Sequence, residues 1–159
     1  MGLAACADEP TAVTAATSLD GACCFGGGRT AIHRLYNSYT GDHLYGTDPY
    51  EAQNQGYHLE GYNYFFLENW PQAGHTALYR CYAWWNDYFL STDPGCEGMT
   101  IEQELGQIAV YQVAESTPLY RLYKHGSGDH FYTTDYWEGQ NAISSYGYVY
   151  EGITGYVYQ

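Results

Sequence analysis

A short motif recurs three times along this chain. Residues 32–36 read I-H-R-L-Y, residues 78–82 read L-Y-R-C-Y, and residues 119–123 read L-Y-R-L-Y. The shared arginines, Arg34, Arg80 and Arg121, stand 46 and 41 residues apart. Each is followed, 14, 13 and 14 residues on, by Asp48, Asp93 and Asp135, which close the runs H-L-Y-G-T-D, Y-F-L-S-T-D and H-F-Y-T-T-D. A repeat of this length is one supersecondary unit that cannot bury its apolar face alone, whereas three units together can. The motif therefore restricts the chain to architectures with pseudo-threefold symmetry.

The first two runs of each unit alternate with period two, as half-buried strands do. A helical turn is expected next. Asp48-Pro49-Tyr50-Glu51 and Asp135-Tyr136-Trp137-Glu138 have the form of capping boxes, the first with the favoured N1 proline. In the middle unit the cap is expected at Thr100, with Gln103 three residues on. Gly56, Gly106 and Gly147 stand where left-handed C-caps are expected. Two more short strands would close each unit, turning at Glu60-Gly61 and Glu151-Gly152. The expectation is a mainly β domain with short helices over residues 32–159. Its three pseudo-symmetric four-stranded repeats (32–70, 77–113 and 118–158) would close into a three-bladed, propeller-like ring. A β-trefoil has the same repeat length and is the alternative, against which the helix in each unit argues. Residues 1–31 stand outside the repeat and read as an N-terminal tail and linker, small and polar over Ala7–Ser18 and flexible at Gly26-Gly27-Gly28.

Composition narrows the function. Eighteen acids against five bases give a net charge of −13, which repels phosphate backbones and excludes nucleic acid as a partner. No apolar run is long enough to span a membrane as a helix. Leu3-Ala4-Ala5-Cys6 resembles a bacterial lipobox, although only Met1 and Gly2 precede it, so membrane contact is expected only through lipidation of Cys6. Of the other four cysteines, Cys81 and Cys96 lie in one repeat and are favoured as a bridge. The competing pairing clips Cys23 and Cys24 onto the middle repeat. Either disulfide implies an oxidising compartment, extracellular or in the cell envelope.

Candidate site residues come from the repeat phase. Gly41-Asp42-His43, Asn86-Asp87-Tyr88 and Gly128-Asp129-His130 occupy equivalent turns. Their aspartates can accept from sugar hydroxyls or hold a hard cation, and the histidines can donate. The plainer reading is that Gly-Asp and Asn-Asp form turns and the next residue packs. No cofactor is required by the sequence; a bound calcium would belong at these aspartates. Trp84 and Trp85, adjacent beside the middle turn, and Trp137 at the third helix offer rings for stacking on sugars. Arg34, Arg80 and Arg121 read as structural, each a planar donor fork for carboxylates, with Glu60 and Glu151 as turn residues or partners. Asp48 and Asp135 read as helix caps. No catalytic motif is present, neither G-x-S-x-G, nor H-E-x-x-H, nor a phosphate-binding glycine loop.

The units L-Y-R-L-Y…T-G-D-H-L-Y-G-T-D and L-Y-R-L-Y…S-G-D-H-F-Y-T-T-D, with the closing Y-x-x-E-G-x-x-G-Y-V, resemble a family of secreted tandem repeats of unknown function. Its consensus is close to V-Y-R-L-Y-N…G-D-H-F-Y-T, and the resemblance covers residues 32–158. It implies location and repeat architecture more than activity. The expected function is a secreted, lectin-like, non-catalytic module for a carbohydrate or cell-surface polymer. A self-assembling matrix or protein-interaction module and a hydrolase are the alternatives.

Overall fold

The computed structural model describes residues 28–159. The linker, Cys6, Cys23, Cys24 and most of the glycine joint lie outside the described residues. Nine strands and one α-helix follow in three units: β1 (Arg29–Asn37), β2 (Asp42–Gly46) and β3 (Tyr57–Glu68); β4 (His75–Ala83), β5 (Asp87–Ser91) and β6 (Thr100–Ala109); β7 (Ser116–Lys124), β8 (Asp129–Thr133), α1 (Tyr136–Tyr146) and β9 (Val149–Tyr158). All pairings are antiparallel. In every unit the first strand is central, with the short second strand on one side and the long third strand on the other. The third strands touch one another pairwise, at Glu68–Gln107, Ala109–Tyr156 and Phe66–Tyr158.

Each unit has three strands, not four. The Glu60-Gly61 and Glu151-Gly152 pairs do not turn the chain. β3 and β9 run straight through them, with register shifts on both sides of Arg34 and flanking Tyr120 and Arg121. Gly152 takes φ of 140°, a backbone state that favours glycine. Bulges of this kind re-aim side chains without ending a strand. β6 carries equivalent shifts, and Gly106 lies within them at φ 149° rather than capping a helix.

The helical segment is fully formed only in the third unit. Asp135 caps α1 by accepting from the N–H groups of Trp137 and Glu138, and Gly147 ends it in the left-handed conformation. In the first unit the Asp48 carboxylate accepts from Tyr50 N–H, and the chain reaches only a 3-10 turn, Gln53–Gln55, capped by Gly56. In the second, Asp93 accepts from Gly95 and Glu97 ahead of a 3-10 turn at Cys96–Gly98. Thr100 caps no helix; it opens β6 opposite Tyr82.

The core sits where the units meet. Ile32, Leu78 and Leu119, at one repeat phase, are fully buried. Tyr45, Leu90 and Tyr132 occupy the next phase. The Tyr45 hydroxyl inserts against the backbone of residue 132, accepting from its N–H and donating to its carbonyl at 2.8 and 2.9 Å. Tyr132 does the same to residue 90, at 2.9 and 2.7 Å. Buried tyrosines thus satisfy backbone groups of short strands while filling the interior. Cys81 and Cys96 are bridged, with Cα atoms 5.7 Å apart, tying β4 to the turn before β6.

Candidate functional site

The seams between units are built alike. Arg34 Nε lies 2.8 Å from Glu60 of its own third strand, while its two terminal nitrogens donate to Glu138 of the third unit at 3.0 and 2.8 Å. Arg80 pairs with Glu102 of its own unit and forks onto Glu51 of the first. Arg121 pairs with Glu151 and forks onto Glu97 of the second unit. Each arginine therefore holds the unit that precedes it in a closed cycle. Glu51 and Glu138, at the third position of their capping motifs, reach across to the neighbouring arginine. Burial opposes ionisation of Glu138, but hydrogen bonds from Arg34 and Thr133 and the Arg34 charge hold its carboxyl at about 2.

Inside the arginines the aspartates close a second cycle. Asp129 accepts from His43 at both backbone N–H and Nδ1, at 2.7 and 2.8 Å. Asp87 accepts likewise from His130, at 3.0 and 2.6 Å. Two-atom capture of this kind fixes each ring. Asp42 has Tyr88 in place of a histidine, and its Oδ2 accepts from the Tyr57 hydroxyl. Burial pushes the Asp42 carboxyl up, the Tyr57 hydroxyl counteracts this, and the charges of Asp129 and Asp87 add to the rise. The turn aspartates are thus interior groups, not outward-facing acceptors. A histidine or tyrosine of the next unit covers each one.

The seam between the third and first units opens into a cleft of about 400 Å³. Tyr36 and His43 of the first unit form one wall, with ring centroids 4.7 Å apart. Phe131 and Tyr148 of the third unit form the other, with Tyr146 at the end of α1 beside them. Glu60, Lys124 and Asn141 supply polar groups to the same cleft. The seam between the second and third units is also hollow, about 360 Å³, but it is lined by Arg121, Glu97, Glu151 and hydroxyl residues without an aromatic ring. Only the third unit has α1, which carries Asn141 and Tyr146 to the first of these clefts.

Of the residues singled out from the sequence for ligand binding, only His43 lines the aromatic cleft; Arg34 and Glu60, read there as structural, border it as well. Tyr88 packs between Tyr57 and Tyr82, and His130 against Phe89 and Tyr123. Trp85 is half-buried and donates to the Gly128 carbonyl at 3.1 Å. Trp84 meets it edge-on and is 80% exposed, and Trp137 is 76% exposed against Tyr136; neither lines the cleft. Tyr36, Lys124, Phe131, Asn141, Tyr146 and Tyr148 were not singled out. One signal was present: a tyrosine follows the capping glycine in two units, at Gly56-Tyr57 and Gly147-Tyr148.

Two overlapping segments, residues 7–102 and 97–159, match one family model, described as a domain of unknown function (DUF5648). No curated protein and no solved structure matches the chain.

Proposed function

We propose that this chain, which belongs to the DUF5648 family, is a non-catalytic carbohydrate-binding module working outside the cytosol. The aromatic cleft carries the reading. Its volume suits a small-molecule site. Its walls combine ring faces for the C–H side of a pyranose with a carboxylate, an ammonium and an amide for the hydroxyls. The pairing of Glu138 with Arg34 supports binding over glycoside hydrolysis. A general acid needs a carboxyl raised toward neutrality, and Glu138 is held at about 2. The Cys81–Cys96 disulfide supports an oxidising compartment, with lipidation of Cys6 as the proposed anchor. The cyclic pairing of β3, β6 and β9 supports reading the three units as small blades about a pseudo-threefold axis. Nine strands fit this better than a twelve-stranded trefoil.

A glycan array followed by calorimetric titration of any hit tests the assignment. Tyr146→Ala and Lys124→Ala are expected to weaken binding at least about tenfold, the scale of a lost stacking or charged contact. Trp84→Ala is expected to leave it unchanged. An array without a glycan bound at millimolar strength, or a hit that depends on Trp84 and not on Tyr146, overturns the assignment.

A further inference from the structure

The interior carboxylates pose a problem of charge. Asp42, Asp87 and Asp129 are 3%, 1% and 1% exposed, and one oxygen from each lies within 4.8 Å of the others. Like charges this close, away from water, repel unless one carboxyl keeps its proton or a cation stands between them. The arginines of the seams are already engaged by glutamates. His130 Nε2 lies 2.9 Å from Arg121 Nη2, closer than the 3.4 Å to Glu151. A guanidinium only donates, so Nε2 is engaged by Arg121, and it is Nδ1 that faces Asp87. Asp42 has no imidazole at all. With its Oδ2 engaged by Tyr57, its Oδ1 is buried without a hydrogen-bond partner. The Tyr88 N–H favours the charged carboxylate from nearby but does not meet hydrogen-bond geometry with that oxygen. A buried carboxylate oxygen without a partner is costly and calls for a ligand.

We propose that Asp42, Asp87 and Asp129 bind one calcium ion between the three units. The donor set consists of carboxylate oxygens, which selects a hard cation. Calcium accepts irregular oxygen cages, whereas magnesium demands near-ideal octahedral geometry and retains its waters. The imidazole Nδ1 atoms point at the carboxylates and act as outer partners that orient two of them, while Tyr57 and Tyr148 hold Asp42 and Asp129 through their hydroxyls. Each ligand comes from a different unit, so the ion joins all three. Its binding is coupled to assembly of the fold. The site shares His43 and Tyr148 with the walls of the aromatic cleft, but its existence does not depend on the carbohydrate assignment.

The test uses the full chain, stripped with EDTA and desalted. Elemental analysis after equilibration with calcium chloride is expected to find one ion per chain. Terbium chloride is expected to give luminescence sensitised by Tyr57 and Tyr148 that calcium displaces. The melting temperature in millimolar calcium is expected to exceed that in EDTA by about 5 °C or more. Asp87→Asn is expected to weaken calcium binding by about tenfold or more, and the surface change Glu115→Gln to leave it unchanged. If Asp87→Asn does not fold, the stoichiometry and melting shift of the unaltered chain decide. Equal melting in calcium and EDTA with no bound ion overturns the proposal. So do several weak ions per chain without a melting shift, as an acidic surface would bind, and terbium emission that survives Asp87→Asn.

Discussion

Three of the five basic residues in the chain occupy one repeat phase, and each has a carboxylate on Nε and a second across its terminal nitrogens. Lysine has no planar fork with which to grip one glutamate while pairing with another. The arginine spacing is plain in the sequence. The partners are only half so: Glu60 and Glu151 stand in a repeated E-G pair, whereas Glu102 lacks the glycine, and Glu51 and Glu138 look like capping residues. Glu138 also accepts from Tyr64 and Thr133, so its loss leaves several donors unpaired. Glu138→Gln is expected to lower stability by about 2 kcal/mol at neutral pH, measured by denaturant titration. Its carboxyl falls from an ordinary 4.5 to about 2 on folding. The unfolded chain therefore binds the proton more readily, and the stability contributed is complete above about pH 5 and drains as pH falls toward 2. The gap between Glu138→Gln and the unaltered chain should narrow over that interval. A gap that stays constant down to pH 2 would refute this origin.

At the level of elements, the strands of the repeated motif are where period-two alternation puts them. The third strands misled because an E-G pair between two alternating runs looks like a tight turn. In β3 and β9 it is a bulge, whose position opposite Arg34 and Arg121 is a tertiary matter. The middle helix failed similarly. Asp93-Pro94-Gly95 starts the turn, but the chain makes only a 3-10 turn at Cys96–Gly98, where Cys96 is bridged to Cys81, and enters β6 at Thr100. That bridge closes a separation of 15 residues, for which the chain-entropy account gives about 3 kcal/mol. Replacing both cysteines with alanine is expected to lower the denaturant midpoint accordingly, and reduction of the unaltered chain should reproduce the shift. A double variant with an unchanged midpoint would show that the bridge adds nothing.

The whole molecule is coupled around its cycle. The third unit supplies Glu138 to Arg34 and Asp129 to His43, while the second supplies Glu97 to Arg121 and Asp87 to His130. Unfolding is therefore expected to be one transition, coincident by far-ultraviolet circular dichroism and by tyrosine fluorescence. A fragment spanning residues 28–113 is expected to lack cooperative unfolding, and a sharp transition in it would show that two units suffice. Threefold repetition was legible because it is written in the residues. The aromatic cleft was not, because Asn141 and Tyr146 reach it on a full helix that only one unit forms. Near this cycle, the Arg29 guanidinium lies 3.6 Å from the centre of the Tyr158 ring. The start of the first described strand and the end of the last thus share one doorway. A chain that enters and leaves these strands at one spot would take up almost none of the distance between whatever is joined to them.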